Sequence, residues 1–100
     1  MTITVTHNGT DIPMAPPKDP DSVVDYGFEW ADWLSSGEVI LTSIWLLETD
    51  IVESSNSFTD TQTSVFISGG VAGNVYTITN RISTATRVED RSMNIRVREK

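Results

Sequence analysis

The residues that could support catalysis are few in this chain. The only histidine is His7, and there is no cysteine, so a serine or cysteine nucleophile would lack a positioned base. His7 also lies in an N-terminal stretch that we expect to extend away from the compact fold. The lack of cysteine further excludes disulfides and thiolate chemistry. We therefore expect no catalytic residues and a protein that is not an enzyme.

Carboxylates are the next candidates, and two groups of them could offer hard oxygen ligands to calcium. These groups are Asp19, Asp21 and Asp25, and Asp50, Glu53 and Asp60. Neither group has the spacing of a calcium-binding loop with its turn glycine, and solvated strand ends explain both. A glycosidase-type carboxylate pair stays open as an alternative, because no pair stands out among the acids. We expect no metal and no cofactor.

The charge of the chain is unevenly distributed. The net charge is −7; residues 1–60 hold eleven acids and one base, whereas residues 61–100 hold six bases and three acids. An acidic protein has no general affinity for nucleic acid or anionic membranes, so neither is an expected partner. Two interpretations of the asymmetry remain. The acidic and basic edges offset each other within one molecule, or they form a two-signed surface for head-to-tail assembly of copies.

The composition and pattern favour an all-β fold. One hundred residues, 38% of them hydrophobic, suffice for one domain with one core, and strand-forming residues predominate. In residues 23–30, Tyr26, Phe28 and Trp30 alternate with polar residues or glycine, which is typical of a half-buried strand. Residues 39–47 are apolar on both faces and predict a central strand. Residues 51–52 and 57–59 predict two short strands around a turn, and residues 64–68 predict a firmer one.

The last quarter of the chain predicts an antiparallel hairpin. Residues 75–82 and 91–97 are β-rich runs in which Tyr76, Ile78 and Ile82 would face Met93, Ile95 and Val97. Asn80 follows Ile78 by two residues and would point to the same, inward face of the strand, so its amide must find hydrogen-bond partners inside the fold. The count of six or seven antiparallel strands predicts an immunoglobulin-like β-sandwich, in which Tyr76 resembles the corner tyrosine.

The N-terminal residues differ from the rest of the chain. Ile3 and Val5 alternate with threonines in a possible short strand, and all four prolines fall within residues 13–20. We therefore predict a proline-rich arm over residues 1–22 and a sandwich over residues 23–100. The start of the chain lacks a signal-peptide pattern, and no apolar run is long enough to span a bilayer, so neither export nor membrane insertion is indicated.

Several short motifs, in this order and spacing, resemble the phage fiber-tail adaptor proteins of tailed bacteriophages. They are Lys18-Asp19-Pro20-Asp21, Asp25-Tyr26, Trp30, Ser43-Ile44-Trp45, Ser68-Gly69-Gly70, Ala72-Gly73, residues 76–82 and Asp90-Arg91-Ser92. The last hairpin turn departs from the family, because Ala85-Thr86-Arg87 stands where a glycine is expected. The resemblance implies a virion structural protein of the tail or neck, made in the host cytoplasm. It also implies a symmetric ring of copies whose partners are tail, neck and fiber proteins.

The candidate site residues are accordingly partner-binding ones. Ile3 and Val5 would let the arm add a strand to a neighbour's sheet edge, Trp33 is displaced from the core face, and Arg87, Arg96 and Arg98 belong to the basic half. The alternative function is a small immunoglobulin-like ligand-binding module that recognises carbohydrate through exposed aromatic residues such as Trp33.

Overall fold

The described residues form a β-sandwich of seven strands. The structure, a computed structural model, describes the backbone of residues 3–5 and all of residues 14–99. In chain order the strands are β1 Ile3–Val5, β2 Val24–Glu29, β3 Thr42–Leu46, β4 Ile51–Phe58, β5 Gln62–Gly69, β6 Val75–Ser83 and β7 Val88–Arg96. No helix occurs among the described residues. The predicted all-β class is confirmed, and so is the short strand at Ile3–Val5.

The strands form two sheets. One has the order β1-β2-β5-β4 and the other β3-β6-β7, and all neighbouring pairs are antiparallel except β1 with β2, which are parallel. Immunoglobulin constant-type domains have the orders A-B-E-D and C-F-G, which are the same orders when the strands are lettered along the chain. The strand order therefore supports the immunoglobulin-like prediction, whereas the parallel pairing of β1 departs from a wholly antiparallel sandwich.

The core lies between the sheets and follows the predicted alternation. Tyr26, Phe28 and Trp30 are buried along β2 and just after it. Phe28 of one sheet stacks on Trp45 of the other, with ring centroids 5.9 Å apart and planes 16° apart. A shift of one residue along β2 would bury Asp25 and Glu29 instead, so this pattern fixes the register of the strand.

The β6–β7 hairpin has the predicted register. Tyr76 lies opposite Ile95 and Ile78 opposite Met93, and all four side chains are buried. Its turn requires no glycine, because the Oγ1 of Thr84 accepts the backbone N–H groups of Thr86 and Arg87 at 3.3 and 3.1 Å. A side-chain hydroxyl thus supplies the turn geometry for which a glycine was expected.

The Tyr76 hydroxyl behaves as a corner tyrosine does. It accepts a hydrogen bond from the backbone N–H of Val71 at 2.9 Å, and it donates to the Oδ2 of Asp50 at 3.3 Å. The residue thereby ties the loop between the two sheets to the start of β6.

Two strand predictions were wrong. Residues 39–47 were expected to form a central strand, but β3 covers only Thr42–Leu46 and is an edge strand whose outward Ile44 and Leu46 are exposed. The two short strands expected at residues 51–59 are one continuous strand, β4, with a bulge between Glu53 and Ser55. The bulge absorbs the extra residue, so a polar Ser-Ser-Asn run that is typical of turns continues in the sheet.

The segment just before residue 22, which the sequence assigned to the arm, packs against the sandwich where the structure describes it. Ala15 and Lys18 are buried, and their backbone N–H groups donate to the carbonyls of Asn94 and Arg96, each at 2.8 Å. This segment extends the sheet beyond β7, which satisfies backbone groups that an isolated arm would leave to water. Residues 1–2 and 6–13 lie outside the described part of the chain, so a separate arm there stays a prediction.

Candidate functional site: partner-binding surfaces

One end of the sandwich gathers aromatic and charged side chains around Trp33. The loop from Trp30 to Leu41 and the turn from Thr84 to Arg87 meet there. The guanidinium carbon of Arg87 lies 3.8 Å from the centroid of the Trp33 ring, and Trp30 meets the same ring edge to face, with centroids 5.6 Å apart. The Arg87 Nη2 also donates to the carbonyl of Trp33 at 3.1 Å. Trp33 and Arg87, chosen separately from the sequence, therefore belong to one cluster.

Glu38 holds the loop of residues 30–41 to the turn of residues 84–87, and we call this connection the loop lock. Its carboxylate accepts two hydrogen bonds from the Arg87 guanidinium and one from the Thr84 hydroxyl at 2.7 Å. It also accepts the backbone N–H of Ser35 at 2.9 Å. The hydrogen bonds from Arg87, then those from Ser35 and Thr84, lower the pKa of Glu38 to about 2. The Glu38 carboxylate is therefore ionised and structurally engaged at neutral pH.

A shallow depression of about 450 Å³ opens beside this lock. It is lined by Ser35, Ser36, Gly37, Glu38, Ala85, Thr86 and Arg87. Most of these side chains are small, and the two charged ones already bind each other. The depression is thus a preformed hollow whose two charged side chains neutralise each other.

Arg91 was not singled out from the sequence, yet it is the most buried arginine of the described residues. Its guanidinium carbon lies 4.3 Å from the centroid of the Trp30 ring. Its Nη1 donates to the carbonyl of Glu29 at 3.0 Å and to the Oδ1 of Asp32 at 3.1 Å. The signal that could have revealed it is its position in the hairpin, directly opposite the buried Asn80.

Asn80 joins the two sheets at the centre of the fold. Its Oδ1 accepts the indole N–H of Trp30 at 3.0 Å and the hydroxyl of Thr63 at 2.7 Å. Its Nδ2 donates to the Oγ of Ser43 at 2.9 Å and to the carbonyl of Ile44 at 3.0 Å. The prediction that this amide finds partners inside the fold is confirmed, and all of its usual bonding capacity is used.

At the opposite end of the sandwich, Lys18 is almost fully buried. Its Nζ donates to the carbonyls of Gly69 at 2.8 Å and of Asp19 at 2.9 Å. Burial lowers the pKa of Lys18, against the raising effect of the nearby Asp19 and Asp21. The lysine therefore ties the N-terminal segment to the loop after β5, a structural role that the sequence did not predict.

The remaining predicted site residues lie apart from the Trp33 cluster. Arg96 and Arg98 are exposed near the C-terminal end of β7, and within the described part of the chain their side chains make no hydrogen bond or ion pair. Ile3 and Val5 lie in β1, in register with Tyr26 and Phe28 of β2. The structure thus brings together only Trp33 and Arg87 of the six predicted residues.

The ion pairs bear on the charge asymmetry. Arg87 with Glu38 and Arg91 with Asp32 join the basic half of the sequence to the acidic half, and Arg81 pairs with Asp90 inside the hairpin. Part of the asymmetry is therefore offset within one molecule. Among the described arginines, Arg96 and Arg98 are the two that lie outside this internal pairing.

Neither a group of metal ligands nor a membrane-spanning helix is found in residues 14–99. No group of three or more His, Asp or Glu side chains there is placed to hold a metal ion. The same residues contain no helix with the length and apolar character needed to cross a membrane.

Taken together, the described residues form a small β-sandwich domain in which one loop is fixed to a hairpin turn. The family described as "Podophage GP4 fiber-tail adaptor protein gp77" matches residues 18–96, and the chain belongs to that family. The match includes all six antiparallel strands, β2 to β7. No curated protein matches the chain. The predicted resemblance to phage fiber-tail adaptors is confirmed, and with it a structural role in the virion.

Proposed function

We propose that this protein is a non-enzymatic adaptor, present in several copies in a symmetric ring, that joins tail fibers to the tail or neck of a bacteriophage. The observation that carries the proposal is the family match over residues 18–96. Tails have cyclic symmetry, and a closed ring of identical subunits is the simplest way to present one binding surface per fiber. The partners are then tail, neck and fiber proteins and further copies of the chain.

The state of the charged groups supports a non-enzymatic role. Glu38 is ionised and bound to Arg87, and Lys18 is committed to two backbone carbonyls. Groups held in this way stabilise loops and cannot readily exchange protons with a substrate. Among the described residues, the acidic and basic side chains that make strong interactions therefore have structural roles.

The partner-binding role of the six predicted residues is part of the proposal. Arg96 and Arg98 would contact an acidic surface of a neighbour. If adjacent copies exchanged β1, Ile3 and Val5 would keep the same pairing with β2, but the β2 strand would belong to the neighbouring molecule. Trp33 and Arg87 would present the preformed depression beside Glu38 to a partner.

The geometry of Trp33 gives no support to this residue as the centre of the alternative carbohydrate-binding site. A sugar-binding tryptophan presents a free ring face, whereas Trp33 carries Arg87 on its ring and meets Trp30 at close range. A glycan would have to displace the arginine, which Glu38 holds in place.

A deletion of the gene, complemented by a plasmid copy, tests the adaptor role. Particles made without the protein should have tails but no fibers, and the plasmid copy should restore both the fibers and host adsorption. Fiber protein is quantified in purified particles by mass spectrometry. Normal fiber content in particles that lack this protein would refute the proposal.

A further inference from the structure

The four edges of the two sheets are protected to very different degrees. An unprotected edge strand offers free backbone groups to any extended chain, and proteins block such edges with short strands, bulges, charges, proline or a covering segment. The C-terminal end of the β7 edge is covered, since the backbone N–H groups of Ala15 and Lys18 bond to the carbonyls of Asn94 and Arg96. The first half of β7 carries the charged residues Glu89, Asp90 and Arg91. The edge strand β1 is only 3 residues long.

The edge strand β4 is protected in a different way. A bulge between Glu53 and Ser55 interrupts its register, and the strand carries serines and an asparagine through its second half. Bulges and polar side chains both discourage pairing with another strand.

Among the described residues, the edge strand β3 shows no bulge, charge or proline, and no other segment bonds along its free edge. Its sequence, Thr42-Ser43-Ile44-Trp45-Leu46, contains no charge and no proline, and its pairing with β6 is regular. Ile44 and Leu46 point outward and are 49% and 41% exposed. This edge therefore offers both free backbone groups and two apolar side chains at alternate positions.

The charges around β3 indicate what could pair with it. Residues 19–80 contain ten acids and no base, and Glu48 and Asp50 follow β3 directly. The base nearest in the sheet is Arg81, opposite Ile44, and it is paired with Asp90. A neighbouring copy would bring the same acidic surroundings to the contact, so like charges disfavour the pairing of β3 with β3.

We propose that β3 is the docking edge for an extended strand of a tail or fiber protein, with apolar side chains at alternate positions and lysine or arginine beside them. The strand would add to the β3-β6-β7 sheet, its backbone bonding to β3 and its apolar side chains packing on Ile44 and Leu46. This inference rests on the proposed adaptor function and names the surface through which one partner is held.

Charged substitutions at Ile44 test the proposal in the phage. Ile44→Lys and Ile44→Glu remove the same apolar contact but carry opposite charges, and Val52→Lys, on the edge strand β4, is the matched control at a position 58% exposed. Copies of the adaptor and of the fiber protein per purified particle are measured by mass spectrometry, and circular dichroism of each purified variant checks its folding. We expect at least tenfold fewer copies of the fiber protein for Ile44→Lys, a smaller loss for Ile44→Glu, and no loss for Val52→Lys; the adaptor is lost as well only if the strand belongs to the tail protein.

Each other outcome contradicts a separate part of the proposal. Wild-type fiber content in particles that carry a folded Ile44→Lys protein would exclude β3 as a docking edge, and Leu46→Lys repeats the test if that variant does not fold. Equal losses for the Lys and Glu variants would exclude a basic partner. A wild-type dimer in sedimentation that Ile44→Lys dissociates would make a second copy the occupant. If deletion of the gene removes the fibers while Ile44→Lys keeps them, the adaptor function stands and only this inference fails.

Discussion

Replacing Asn80 should cost more stability than any other polar substitution in the fold. Its side chain makes four hydrogen bonds, to Trp30, Thr63, Ser43 and Ile44. In Asn80→Ala the two hydroxyls can rotate towards other partners, and the part-buried Ile44 carbonyl lies in the edge strand β3, but the buried Trp30 indole N–H has no other partner. A buried polar group left without its partner costs about 1–3 kcal/mol, so this group alone predicts a loss of about 1–3 kcal/mol.

The loss is large on the scale of a small domain, whose total stability is about 5–15 kcal/mol. Urea unfolding followed by tryptophan fluorescence measures it, and Asn94→Ala is the matched control because the Asn94 amide is only part-buried and bonds Thr77 at 2.6 Å. We expect the control to lose about 1 kcal/mol or less. A loss below about 1 kcal/mol for Asn80→Ala, with an unchanged slope, would refute the view that this amide joins the two sheets.

Three further predictions concern the core, the loop lock and a glycine turn. Ile78 is fully buried opposite Met93, so Ile78→Ala should lower the free energy of unfolding by about 2–5 kcal/mol. A change in the free energy of unfolding below about 0.5 kcal/mol, measured by denaturation, would contradict the hairpin register. The pKa of Glu38 falls from 4.5 to about 2 on folding, so its bonds stabilise the fold above pH 4.5 and this contribution is lost as pH falls from 4.5 to 2. Glu38→Gln should flatten the decline in the urea midpoint over that range, and parallel curves for the two proteins would refute the lock. Gly70→Ala should lower the melting temperature, because Gly70 has a φ of +102° and an added Cβ would lie 2.7 Å from a methyl group of Val97. An unchanged melting temperature would show that the loop adapts to the added methyl group.

The sequence predicted the parts of the fold that depend on alternation. In β2, β5, β6 and β7 every second side chain points into the core, so apolar residues recur with a period of two along the sequence. Residues such as Tyr26, Phe28, Ile78 and Met93 therefore identify the inward faces of these strands. Asn80 could be predicted to be satisfied because its phase placed it in the core, although its four partners could not be named.

The sequence failed where long-range contacts decide the outcome. An apolar run such as Val39–Leu47 is typical of a central strand, yet whether another strand lies beside it depends on the sheet order. Lys18 looked like part of a solvated arm, and its burial depends on a loop 51 residues away, at Gly69. Trp33 and Arg87 were chosen for separate reasons, and no local pattern showed that their loops meet.

The adaptor role itself is tested most directly by a cryo-electron microscopy reconstruction of the intact tail. We expect density for the seven-stranded sandwich at the junction of tail and fiber, in contact with both proteins and repeated around the tail axis. Density for the protein at another site in the particle, or a fiber that joins the tail with no sandwich between them, would contradict the account.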